Sequence, residues 1–115
     1  MTGFKDEKAL WKYQKKFLPP TFQRYELMTP AGHPDVKGSV AGQMIYIENK
    51  VGNYLNGKQR RKQMQASQIE YLDWLVSCNQ NVYVCFGDPD FKSVSFYAWP
   101  YLDYRIRLPG WTGPY

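Results

Sequence analysis

Between Gly32 and Lys50 the chain reads GHPDVKGSVAGQMIYIENK, and no other stretch constrains the fold as tightly. Two segments that read as strands, Asp35–Val40 and Gln43–Lys50, are joined through the Gly38–Gly42 region, the pattern of a hairpin. Side chains two apart in a strand share a face. Ile45 and Ile47 therefore point one way, while Met44, Tyr46, Glu48 and Lys50 point the other. Glu48 and Lys50 emerge side by side at the far end of the second strand, and the returning hairpin brings Asp35 beside them. Two carboxylates and an ammonium group then converge on one point.

That combination suits hydrolysis of a phosphate ester. Hard divalent cations take oxygen ligands, which makes Asp35 and Glu48 suitable donors. Lys50 adds a compact positive charge with three donor protons. The residues alone also allow a plainer reading, in which Pro34-Asp35 is an ordinary turn and Glu48-Asn49-Lys50 a solvated strand end. Further along, Gln68 shares a helical face with Met64, Tyr71/Leu72 and Leu75. A polar residue in an inward stripe needs a hydrogen-bonding partner, and by itself the simplest partner is backbone.

Taken together, Gly32-His33-Pro34-Asp35-Val36, Ile45-Tyr46-Ile47-Glu48-Asn49-Lys50, the segment Gln68–Leu75 and the apolar Val82-Tyr83-Val84-Cys85 carry a resemblance. Over about Glu7 to Phe86 the chain resembles the VRR-NUC family, a branch of the PD-(D/E)XK nucleases. The resemblance implies an α/β (α+β) restriction-endonuclease-like core, a central mixed sheet flanked by helices. It implies Mg2+ or Mn2+ held by Asp35, Glu48 and the main-chain carbonyl of Asn49, with Glu7 on the first helix as a further ligand. Glu26 is a rival third carboxylate. Lys50 would stabilise charge or position the attacking water, and Gln68 would support it. Two features depart from the family pattern. The span from Lys50 to Gln68 is long and holds a polar insert, Gly52–Gln63. Asn79 stands where the family has a glycine, though asparagine tolerates the same left-handed backbone.

The implied activity is a metal-dependent endodeoxyribonuclease that leaves 5′-phosphate ends. Small stand-alone members of the family resemble Holliday-junction resolvases that work as symmetric dimers, so branched DNA and a homodimer are the expected substrate and state. The alternatives are a general or flap/single-strand nuclease, and a non-catalytic nucleic-acid-binding protein on the same fold.

Other features bound these readings. At 115 residues the chain suits a single domain, 1–115. A net charge of +5 points toward a polyanionic partner. Lys58, Arg60, Arg61 and Lys62 in the insert are candidates to grip phosphates, against the plainer reading of a solvated charged face. No stretch approaches the length of a membrane span and the N-terminus is not signal-like, which suggests the cytoplasm of a bacterial or phage-infected cell. His33 is the single histidine, and Cys78 and Cys85 have no metal-ligand spacing. Both cysteines read as reduced packing residues, with no zinc site and no small-molecule cofactor.

The remaining elements follow from caps and periodicity. Asp6 caps a helix over Glu7–Phe17 that Pro19-Pro20 closes, and Thr21–Met28 reads as a strand. A second helix begins between Lys58 and Ser67 and runs to Ser77, with Ser67 and Glu70 as a possible capping box. Val82–Phe86 is a buried strand. Asp88-Pro89 predicts a short helix reaching Ala98. The segment 99–115, rich in aromatics, lies beyond the resemblance and either packs back on the core as a strand plus tail or faces a partner subunit.

Overall fold

A computed structural model describes residues 3–25 and 32–115. In it Gln23–Arg24 (β1), Val36–Val40 (β2) and Gln43–Val51 (β3) form an antiparallel meander, with Val36 opposite Ile47 and Val40 opposite Gln43. The hairpin closes on Ala41 and Gly42, whose φ angles of 51° and 78° are both left-handed. A two-residue loop of that kind matches the twist of its flanking strands, which is why a glycine sits there.

From β3 the chain crosses through two helices, Gly57–Lys62 (α2) and Ala66–Ser77 (α3), to Asn81–Gly87 (β4), which pairs parallel with β3. A parallel pair needs such a crossover. Val94–Ala98 (β5) and Arg105–Ile106 (β6) then add antiparallel strands, giving a six-stranded mixed sheet in the order β1-β2-β3-β4-β5-β6. An N-terminal helix, Glu7–Gln14 (α1), starts at Asp6, whose side chain accepts the Ala9 N–H at 2.8 Å. The mixed sheet flanked by helices is the predicted fold class.

Strand alternation sorts the apolar residues into two cores, one on each face of the sheet. Ile45, Ile47, Cys85, Val94 and Phe96 pack with Leu10 of α1 and with Phe4, Leu108 and Trp111. Val82, Val84, Phe86 and Tyr97 pack instead with Met64 before α3, with Leu72 and Leu75 on it, and with Trp99 and Leu102. Each fully buried leucine or isoleucine side chain contributes roughly 1.5–3 kcal/mol. Trp99 and Trp111 therefore pack back on the cores, as one of the two expectations for the C-terminal segment held.

Several local expectations need correction. The first helix ends at Gln14, and residues 15–18 continue as turns. Within the insert, Asn56 caps the short α2 by accepting the Gln59 N–H. The N-terminal partner of α3 is Gln68, whose Oε1 accepts the Gln65 N–H at 2.9 Å, so Ser67 and Glu70 are not the capping pair. Asn79 has a φ of 59°, and the Gln80 N–H reaches the Leu75 carbonyl, so asparagine does take the left-handed end of the helix. No helix follows Asp88-Pro89. Asp88 Oδ1 accepts the N–H groups of Asp90 and Phe91 and closes a turn, and the alternating Val94-Ser95-Phe96-Tyr97 returns as β5. Of the strand expected over Thr21–Met28, only Gln23–Arg24 forms β1; Thr21, Phe22 and Tyr25 lie outside it, and residues 26–28 lie outside the described residues. Cys85 is buried and reduced, but Cys78 is exposed and is not a packing residue.

Candidate active site

At the end of β3, three consecutive residues divide between the two faces of the sheet. Glu48 and Lys50 lie under α3, and Asn49 lies under α1. Asp35 immediately precedes β2. Its backbone carbonyl accepts the Tyr25 N–H at 2.7 Å, and its Oδ2 accepts the Asn49 N–H at 3.3 Å. The loop that delivers it passes Gly32, whose φ is +84°, and a Cβ there would collide with the Ser67 carbonyl at the start of α3. A glycine ahead of Pro34-Asp35 thus lets the loop lie against the helix that carries Gln68.

Gln68 ties the helix to the strand. Lys50 Nζ donates to Gln68 Oε1 at 2.9 Å, and Gln68 Nε2 donates to Glu48 Oε2 at 3.2 Å. Since Oε1 also accepts the Gln65 N–H, one amide caps α3, holds the ammonium and holds the carboxylate. The partner expected for this polar residue is therefore chiefly side chains, with backbone taking a share.

On the opposite face, Gln14 and Asn49 exchange two hydrogen bonds at 2.8 and 2.9 Å, and both side chains are buried. Asn49 thus spends its amide on Gln14 and its N–H on Asp35. Nothing in the residue pattern announced this pair, because its members lie 35 positions apart and meet only once α1 is docked.

Glu48 is 2 % exposed, yet its Oε1 meets no hydrogen-bond donor among the described residues. A buried carboxylate oxygen without a donor is costly. Burial first, and then the charge of Asp35, push the Glu48 carboxyl up to about 9, with Lys50 opposing. Burial raises Asp35 as well. A proton on Glu48 directed at Asp35, the Asn49 N–H, and the charges of Arg24 and Lys50 all pull it the other way. Burial and their mutual repulsion therefore favour a proton on the pair.

Asp35, Glu48, Lys50 and Gln68 all line one cleft of about 460 Å3, together with Glu7 and Gln65. The three ionisable groups predicted to converge do so. Glu7 acts on Glu48 through its charge, although no group of three or more His, Cys, Asp and Glu side chains converges among the described residues. Glu26 lies outside the described residues. Lys8 and Arg24 also line the cleft and were not anticipated. Arg24 was legible only as a charge on a short strand that pairs beside Asp35.

The basic insert residues lie elsewhere. Arg60 donates to the carbonyls of Leu102 and Tyr54 and stacks on Tyr97, and Arg61 stacks on Trp99. Both guanidinium groups serve the chain's own packing. Lys58 and Lys62 are exposed and line no part of the cleft.

A divalent cation fits this donor set. The site offers hard oxygens, and the buried Glu48 Oε1 lacks the partner that a cation would provide. No family model and no curated protein sequence matches the chain. Among solved structures it is similar to Hjc, a Holliday junction resolvase of the archaeal hyperthermophile Archaeoglobus fulgidus, at 21 % identity and a TM-score of 0.48, over 80 % of this chain and 72 % of that one. No helix among the described residues is long and apolar enough to cross a membrane.

Proposed function

We propose that this chain is a divalent-metal-dependent endodeoxyribonuclease. The observation that carries the reading is the buried Glu48, held against Asp35 with one oxygen lacking a donor, at the wall of an open cleft that also presents Lys50. A structural ion pair would bury its charges with every lone pair satisfied. Here the polar network stops one partner short, at a buried oxygen of a residue that lines the cleft.

Asp35 and Glu48 would hold Mg2+ or Mn2+. The N–H and C=O of a strand residue point to the same edge, so the Asn49 carbonyl emerges on the Asp35 side of β3 and can add a third oxygen. Glu7, on the cleft wall, can join them. When bound, the cation supplies Lewis acidity that activates water and offsets charge at the scissile phosphate. Lys50 places an ammonium where negative charge develops on the phosphoryl oxygens. Gln68 fixes that ammonium and one oxygen of Glu48 in a single orientation, so neither reorganises during the reaction. Water attack at phosphorus with release of the 3′ oxygen would leave 5′-phosphate ends.

The finer reading, branched DNA cut by a homodimer with one site per strand, rests on the motif resemblance. A substrate panel tests it. End-labelled linear, flap, single-stranded and four-way-junction DNA are incubated with Mg2+, Mn2+ or chelator. Paired nicks confined to junctions support the full reading, and ladders on every substrate replace it with a general nuclease. Absence of cleavage on all four substrates in both metals refutes the enzyme.

A further inference from the structure

The cleft opens onto a lysine strip that the reading above does not use. Lys8 lines the cleft, and Lys12 lies one turn further along α1 on the same face. Beyond Lys12 the strip widens into a second groove of about 340 Å3, floored by Phe4, Ala9 and Tyr13 and rimmed by Lys12, Lys16 and Lys92. All four lysines are exposed, and no acidic residue lines this second groove among the described residues. None of the four has an ion-pair partner among the described residues.

The placement of Lys8 works against the helix, whereas Lys12 lies in the last turn, where the dipole favours a cation. Lys8 sits in the first turn, where the helix dipole disfavours a cation, and Lys8 and Lys12 repel each other at a four-residue spacing. By contrast, Arg60 and Arg61 of the insert are engaged by backbone carbonyls and aromatic rings.

We propose that the sugar-phosphate backbone of DNA leaves the cleft over α1 and lies along Lys8, Lys12, Lys16 and Lys92. The proposal takes the identity of the polyanion from the nuclease reading. Its geometry, however, depends only on where the positive charge lies. Lysine acts here as a point charge on phosphate, so the strip would position a strand without reading its sequence.

Two charge-matched double variants test it: Lys12→Ala with Lys16→Ala, and Lys58→Ala with Lys62→Ala. None of these residues lines the cleft, and far-ultraviolet circular dichroism checks that both variants fold. Binding of a fluorescent DNA duplex is followed by anisotropy in chelator across a salt series, while cleavage by the unaltered protein is assayed separately in Mn2+. Loss of two phosphate contacts lowers the slope of log affinity against log salt by about 1.8. The first double variant is expected to show that drop, with roughly 10- to 100-fold weaker binding near 0.1 M salt, and the second to change the slope by less than about 0.5. Equal effects in the two variants, or a larger effect in the second, overturn the strip. A slope drop confined to the first variant in a protein that cleaves nothing keeps the strip and removes the nuclease.

Discussion

Glu48 and Asn49 are neighbours on one strand and almost equally buried, at 2 % and 1 % exposure, yet their surroundings are opposite. Asn49, beneath α1, meets Gln14 in a reciprocal amide pair, a neutral and closed arrangement. Glu48, beneath α3, keeps an oxygen without a donor, a carboxyl pushed up to about 9 and a second carboxylate alongside. One face of the strand is built for stability, and the other accepts a local penalty that only a cation or a proton relieves. The strand thus separates a closed polar pair from an open one by a single residue.

The largest expected effect lies on the α3 face. Lys50→Ala should lower kcat for DNA cleavage by about 10^3-fold or more, comparable to removing a strong donor from a developing anion. DNA binding measured by anisotropy in chelator should persist. Undiminished turnover would remove Lys50 from the chemistry. Gln68→Leu should follow, costing roughly 10- to 100-fold in kcat because the ammonium and the carboxylate lose a shared anchor. Its effect on KM should be small.

Next comes a stability contrast that depends on pH. The folded Glu48 carboxyl titrates near 9, against 4.5 ordinarily, so the folded state binds the extra proton between those values. Stability from this group is present below pH 4.5 and is lost as pH rises toward 9. Glu48→Gln keeps the protonated shape, so in chelator its melting temperature should exceed that of the unaltered protein at pH 8, by on the order of 10 °C. The two should converge near pH 4. A constant difference across that range would break the account of the orphaned oxygen. The same linkage makes Mg2+ or Mn2+ uptake release protons and tighten with pH, which calorimetry in buffers of different ionisation enthalpy would read.

The smallest effect belongs to the α1 face. Gln14→Leu should cost about 1–3 kcal/mol in denaturant melts, because Asn49 is left buried without its partner. That cost should be independent of pH between 4 and 9. A pH-dependent penalty would mean the two faces are not separate.

Much of this was legible before any coordinates. Alternation along 43–50 and the glycine turn were enough to bring Asp35, Glu48 and Lys50 together, because each depends on local geometry of one or two elements, whereas the residues alone left Gln68 to a backbone partner and only the family resemblance placed it beside Lys50. What failed depended on tertiary packing. Gln14 falls inside the helix the caps predict, and only the docking of α1 on β3 makes it the partner of Asn49. Asp88-Pro89 carries a good helix-start signal, but the alternating apolar pattern of 94–97 and a free edge on β4 prevailed. The guanidinium groups of Arg60 and Arg61 read as a charge run, and only the folded position of Tyr97 and Trp99 shows what they touch.

The parallel pairing of β3 with β4 has a kinetic consequence. Asp35, Glu48 and Lys50 come from one hairpin, whose contacts are local and close early. Gln68 arrives only with the crossover, whose ends must meet over a long chain separation, and non-local closure of that kind is slow. During refolding, the carboxylate pair should therefore assemble before its anchor. In stopped-flow experiments, recovery of cleavage should track the slowest phase of β-sheet formation, and recovery ahead of that phase would contradict this order of assembly.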